Sequence, residues 1–279
     1  MPQLIQIFSQ PFLVCLTMVF ILGYMGIHVL KREVIFIDIA LAQIAAVGAI
    51  VAHVAFEAHG DSLFSYSFAF GFTLVASVFY SLVRRKVNQI PLEAVIGISY
   101  AIAAAAALFL VGIAPGGHIH VHQMLSGSIL WATWKDFLLC VFVFSVVGFC
   151  FYVFRKPFKE ISDNYEAALK KGIKVVWWDF LFYALFGIVI TLAVRIGGVV
   201  VIFAFLIIPA TISSLFSSNW VRRLVISWVI GVGAIVAGLL FADHFDFSIG
   251  SSISFFLGVA LVFAGLFRIG RQRIAIAKK

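Results

Sequence analysis

Apolar residues in this chain gather into nine long blocks, at about 8–30, 34–56, 62–84, 92–113, 137–154, 177–194, 197–216, 224–241 and 249–267. Each block comes close to the ~20 residues that a helix needs to cross a bilayer. The pattern predicts an all-α, polytopic membrane bundle with about nine transmembrane spans, forming a single transmembrane domain over residues 1–279. Val194 to Val199 is short enough to be a tight turn holding Arg195. If that turn dips into the membrane instead, eight full spans plus broken elements result.

The polar breaks are sorted by charge. Lys31 and Arg32, then Arg84, Arg85 and Lys86, fill alternate breaks, followed by Arg155, Lys156, Lys159, Lys170, Lys171 and Lys174, and by Arg222 and Arg223. With the basic tail from Arg268 onward they make 18 of the 20 Lys and Arg residues, leaving only Lys135 and Arg195 elsewhere. The positive-inside rule places those breaks and the C-terminus in the cytoplasm and the N-terminus outside. No charged start precedes Lys31, so the first block reads as an uncleaved helix.

Composition sharpens this picture. The chain is 63% hydrophobic and 11% charged, far from the average of soluble domains. A net charge of +8 would point to nucleic acid in a soluble protein. Here topology and attraction to anionic membrane lipid account for it, and no nucleic-acid partner is implied. Cys15, Cys140 and Cys150 lie in apolar blocks without paired spacing, which argues against disulfides or a cysteine-based zinc site.

Small residues let helices approach closely in lipid. The second block is rich in them (Ala42, Ala45, Ala46, Gly48, Ala49), as is the fourth (Ala103 to Ala107), so both are expected at the centre. The Phe- and Val-rich fifth and ninth blocks are expected at the rim. Gly197 and Pro209 mark a hinge or packing point in the seventh, because proline removes a helix hydrogen bond.

Candidate chemistry concentrates on the outer side. His53, His59, His118, His120, His122 and His244 fall there, with Glu57, Asp61, Asp243 and Asp246. Imidazole and carboxylate suit zinc- and manganese-type ions. In an extended loop, His118, His120 and His122 would project to one side at about 6.6 Å spacing, within an outer segment at 114–135. A polar loop that merely contains histidines is the plainer alternative. Asp38 is an acid embedded in the second block, a functional candidate by default; snorkelling, or pairing with Lys31 or Arg32, is the alternative. Gln43 follows on the same helix. Glu93 and Asp179, at helix starts, read as favourable partners of the helix dipole.

The cytoplasmic break at 155–176 is long and polar, with Asp163 or Asn164 placed to cap a short helix and Gly172 to end it. Glu166, Ala167, Ala168 and Gly172 form a pattern by which ABC importers contact their ATPase. No phosphate-binding loop of P-loop spacing occurs, so nucleotide would bind elsewhere.

Taken together, Gly26 to Arg32, Ala40-Leu41-Ala42, Glu93 to Tyr100, Leu125 to Leu130, Glu166 to Gly172, Val194 to Gly197 and Leu206 to Ala210 resemble the zinc/manganese/iron permease family of bacterial ABC importers. The resemblance covers most of the chain. It implies a homodimeric inner-membrane permease with cytoplasmic ATPase subunits and an extracytoplasmic metal-binding protein. A divalent metal ion would be the substrate, with no stably bound cofactor and ATP used through the partner. The family also implies an Asp and a His four residues apart in the second span. Here Ile39 and Gln43 stand at those positions, and Asp38 lies one residue early, about 100° around the helix. Either the substrate differs, or the ion passes with weaker coordination, or its ligands come from among Asp38, Gln43, His53, Glu57, His118, His120 and His122. A permease for a metal chelate and a stand-alone channel or secondary transporter are the competing readings. An intramembrane metalloenzyme lacks a matching His-Glu-x-x-His helix.

Overall fold

A computed structural model describes residues 2–56, 62–86, 89–113 and 129–277, with side chains described over 8–56, 62–86, 89–112 and 129–271. Its helices are α1 (Pro2–Arg32), α2 (Ile37–Phe56), α3 (Leu63–Lys86), α4 (Leu92–Ile113), α5 (Trp134–Val153), α6 (Arg155–Asp163), α7 (Tyr165–Lys170), α8 (Val175–Gly197), α9 (Val199–Phe216), α10 (Trp220–Phe245) and α11 (Ile249–Ala277). Among the described residues, nine of them, all but α6 and α7, are long and apolar enough to span a membrane. Every apolar block of the sequence has become one such helix.

The helices start and stop where local chemistry dictates. Thr133 and Asp136 form a reciprocal capping box at the start of α5, satisfying two amides that would otherwise lack partners. Asn219 caps α10 by accepting from the amides of Val221 and Arg222. The turn between α8 and α9 is a single residue, Gly198, with φ of 79° and its amide bonded to the Val194 carbonyl at 2.7 Å. Only glycine adopts that backbone without strain. Both flanking helices are of spanning length, so the nine-span arrangement holds and the dipping turn does not.

One expectation about packing fails. The centre of the bundle is α8, α1 and α9, whose apolar stretches are 72%, 67% and 50% buried, against 44% for α2 and 22% for α4. The Ala-rich α4 packs one face, Ile96, Ala103, Ala107 and Val111, and leaves Ile102 and Phe109 exposed. Alanine permits close approach but does not say how many sides of a helix are approached. The rim placement of α5 and α11, each 22% buried, holds.

Close approach is instead clearest between α1 and α9. A Cβ added at Gly26 would lie 2.0 Å from the Leu206 carbonyl oxygen. That contact sits one turn before Pro209, a buried proline inside the continuous helix α9. Gly197 is also a packing glycine, its missing Cβ replaced by Val201 and Ile202. The bend that the sequence assigned to it falls one residue later, at Gly198.

Candidate functional site

The basic breaks of the sequence meet at one end of the bundle, and there the helices are tied by charge. Arg32, at the end of α1, donates to Asp179 Oδ1 of α8 at 2.5 Å, and both side chains are fully buried. Arg84, at the end of α3, reaches the same carboxylate at 3.3 Å and lies over the Tyr165 ring at 4.5 Å. Asp179 is therefore no helix cap. It is one acid shared by two arginines that join three membrane helices to α7. Burial, then the nearby Asp179 carboxylate, raise the pKa of Tyr165, keeping this phenol neutral in its cluster.

His28 belongs to the same end. It is buried among aromatic rings of Tyr24, Phe151, Phe182 and Trp220, and its Nδ1 meets the Ser162 hydroxyl at 2.8 Å. Arg32 Nε donates to that hydroxyl at 2.9 Å. Lys31 pairs with Asp163, whose carboxylate also accepts from the Trp220 indole. The segment 155–176 is thus bolted to α1 and α10 by named polar contacts, and Tyr165 under Arg84 ties it to α3. Sequence reasoning missed the role of His28. The available signal was a lone histidine inside a span beside two cations.

The short helix of segment 155–176 has the ends that its sequence predicts. Asn164 caps α7, its side chain accepting from the Ala167 amide at 2.9 Å. Gly172 ends the segment with φ of 76°, a left-handed turn that favours glycine. Glu166 and Gly172 are exposed and Ala167 is half-buried. Ala168 points inward and packs with Ile161, Tyr165 and Val175, so it anchors the helix rather than offering a contact.

The candidate metal ligands are spread out. Asp38 opens α2, buried, with backbone amides of its first turn directed at the carboxylate. Its Oδ1 has no hydrogen-bond partner. Pairing with Lys31 or Arg32 does not occur, since those cations are taken by Asp163 and Asp179. Glu93, in the first turn of α4, accepts from the Phe36 amide at 2.9 Å, leaves Oε2 buried without a partner, and lies within electrostatic range of Asp38. It therefore bridges to the α1–α2 connection, beyond the dipole role read from sequence.

Along α2, positions 38, 42, 49 and 53 fall within about 60° of one another. Asp38 and the half-buried His53 thus head the two ends of one stripe floored by Ala42 and Ala49. Gln43, half-buried, stands about 140° from Asp38 and faces away from that stripe. Glu57, His118, His120 and His122 lie outside the described residues. No group of three or more His, Cys, Asp or Glu gathers to hold a metal among the described residues.

Residues 5–268 match the ABC 3 transport family. The chain belongs to this family. It is 28% identical over 211 residues, 76% of its length and 74% of the relative's, to the manganese import system permease protein ScaB of Streptococcus gordonii. It is 22% identical to the manganese transport system membrane protein MntC of Halalkalibacterium halodurans, with 84% of this chain and 77% of the relative covered. The fold is that of a chain in the structure of PsaBC from Streptococcus pneumoniae in complex with Fab. That match has a TM-score of 0.75 at 19% identity and covers 92% of this chain and 90% of the other. An ABC 3 family chain with nine spanning helices is a transport subunit, a multi-pass permease of the bacterial inner membrane.

Proposed function

We propose that this permease imports a divalent metal ion of the zinc, manganese and iron class, with manganese favoured by the names of its relatives. The observation that carries the reading is Asp38, a buried acid with an unpartnered oxygen at the head of a small-residue stripe on a spanning helix. Carboxylate and carbonyl oxygens suit manganese better than zinc, and Gln43 where the family pattern has histidine leans the same way. Glu93, beside Asp38, adds a second carboxylate at the basic end. Coordination by so few groups fits an ion that must leave as readily as it enters.

The import machinery follows from the same reading. Two copies of the chain would flank the pathway, an extracytoplasmic metal-binding protein would deliver the ion, and cytoplasmic ATPase subunits would dock on Glu166 and Gly172. ATP-driven closure of those subunits would move α6 and α7. Through Asp163, Ser162 and Tyr165 it would then move α1, α3 and α8, which meet at Asp179. The His118, His120 and His122 loop and Glu57 would serve the outer mouth.

Uptake of radioactive manganese into vesicles holding the reconstituted permease, ATPase and binding protein tests the proposal. Asp38→Ala is expected to lower the initial rate about tenfold or more, the scale of one lost charged contact, while the ATPase stays bound. Unchanged uptake in that variant would sink the role of Asp38. Uptake of a metal chelate but not the free ion would favour the chelate permease.

A further inference from the structure

Between α1, α5 and α10 runs an open groove of about 520 Å³. Phe20 and Tyr24 of α1, Phe144 and Gly148 of α5 and Trp228 of α10 line it, and Arg155 stands at its basic end. We propose that the groove binds one anionic phospholipid of the leaflet at the basic end, with an acyl chain along Gly148 and the phosphate on Arg155.

The dimensions fit. From Val141 to Arg155 the wall rises about 21 Å at 1.5 Å per residue, against a hydrocarbon half-thickness of about 15 Å plus a headgroup layer. The groove therefore starts near the membrane middle and ends at the interface, as one lipid of that leaflet does.

The walls hold their shape. The Trp228 indole donates to the Phe20 carbonyl at 3.1 Å, and the two rings meet edge to face at 5.1 Å. A Cβ at Gly148 would meet only the Ile21 Cδ1, at 3.9 Å, so the floor is open space rather than a close helix contact. An unfilled apolar groove of this size forfeits dispersion contacts on one side, and an acyl chain restores them.

The chemistry of the mouth selects the headgroup. Arg155 is exposed and lies 5.0 Å over the Tyr152 ring, which leaves its fork free for a phosphate. Lys156 and Lys159 follow within about a turn on α6, and no carboxylate lines the groove. Tyr152, under Arg155 at the mouth, is of the amphipathic type that favours the interface. Charge at this mouth thus opposes a cationic occupant and favours an anionic headgroup over a zwitterionic one. The inference rests on the positive-inside placement of the basic end and is independent of the cargo.

The test counts lipids on the purified permease–ATPase complex by native mass spectrometry, after reconstitution in equal phosphatidylglycerol and phosphatidylethanolamine. Wild type is expected to retain phosphatidylglycerol preferentially. Arg155→Gln should reduce that preference about fivefold, the effect of one basic contact near an anionic surface. Gly148→Phe, which fills the groove, should reduce retained lipid about tenfold, and Ser145→Leu repeats the test if that variant does not fold. Equal retention and preference in wild type and variants would overturn the site. So would efficient cross-linking of two copies through Gly148→Cys, which would give the groove to a second chain. Lipid counts do not depend on transport, so failure here and failure of metal uptake remain separate results.

Discussion

At the scale of single residues, the most consequential side chain is Asp179. It is fully buried and is the acid that compensates Arg32, itself buried, and Arg84. Removing one member of a buried pair leaves an uncompensated charge, at a cost of about 3–5 kcal/mol. Asp179→Ala should therefore melt at markedly lower temperature in detergent or fail to accumulate. Replacing both Arg32 and Asp179 by apolar residues of similar size should recover much of the loss. An unaltered melting curve for the single variant would contradict the network. None of this was legible in the sequence. Arg32 and Arg84 look like ordinary positive-inside charges, Asp179 like a helix start, and Arg32 and Asp179 are 147 positions apart. Only the fold reveals that these charges turn inward. Asp38 was legible as an embedded acid, because one carboxylate among apolar neighbours stands out wherever its helix packs.

At the scale of elements, spans were legible and their neighbours were not. A helix long enough to cross a membrane announces itself through some twenty apolar residues in a row. Which of its sides is covered depends on residues hundreds of positions away, and so α4 was misplaced at the centre while α8 was overlooked. Packing glycines are better guides than alanine content when a backbone occupies the missing side-chain position. Gly26 meets the Leu206 carbonyl, whereas Gly97 has nothing within 4 Å of an added Cβ. Gly26→Val should separate α1 from α9 and lower the folded yield sharply, while Gly97→Ala should leave it unchanged or slightly raised. Solubilised yield and melting temperature of the pair measure the contrast. Equal behaviour would refute the close approach. At the other end, Gly172→Leu forces a branched side chain into φ of 76°, costing about 1–2 kcal/mol and loosening the turn after α7.

At the scale of the whole molecule, charge divides the permease into two ends with different work. One end is basic, bolted through α6 and α7, and carries the exposed Glu166 and Gly172. Glu166→Ala and Gly172→Leu should each release the ATPase from the detergent-solubilised complex, with the membrane bundle intact by its melting curve. Retention of the ATPase in both variants would remove the docking role of α7. The opposite end holds the half-buried His53. The segregation was plain in the sequence because topology leaves its mark in lysine and arginine counts. The wiring from α7 to α1, α3 and α8 was hidden, since it runs through side chains whose helices are adjacent only after folding.

The corner at Gly198 has a consequence for how the chain is made. With one residue between α8 and α9, there is no loop to thread across the bilayer after the first helix has settled. The two helices are expected to enter the membrane together, as one hairpin. The most buried helix of the bundle thus depends on its successor, and an epitope spliced into this corner should lower the yield of folded protein.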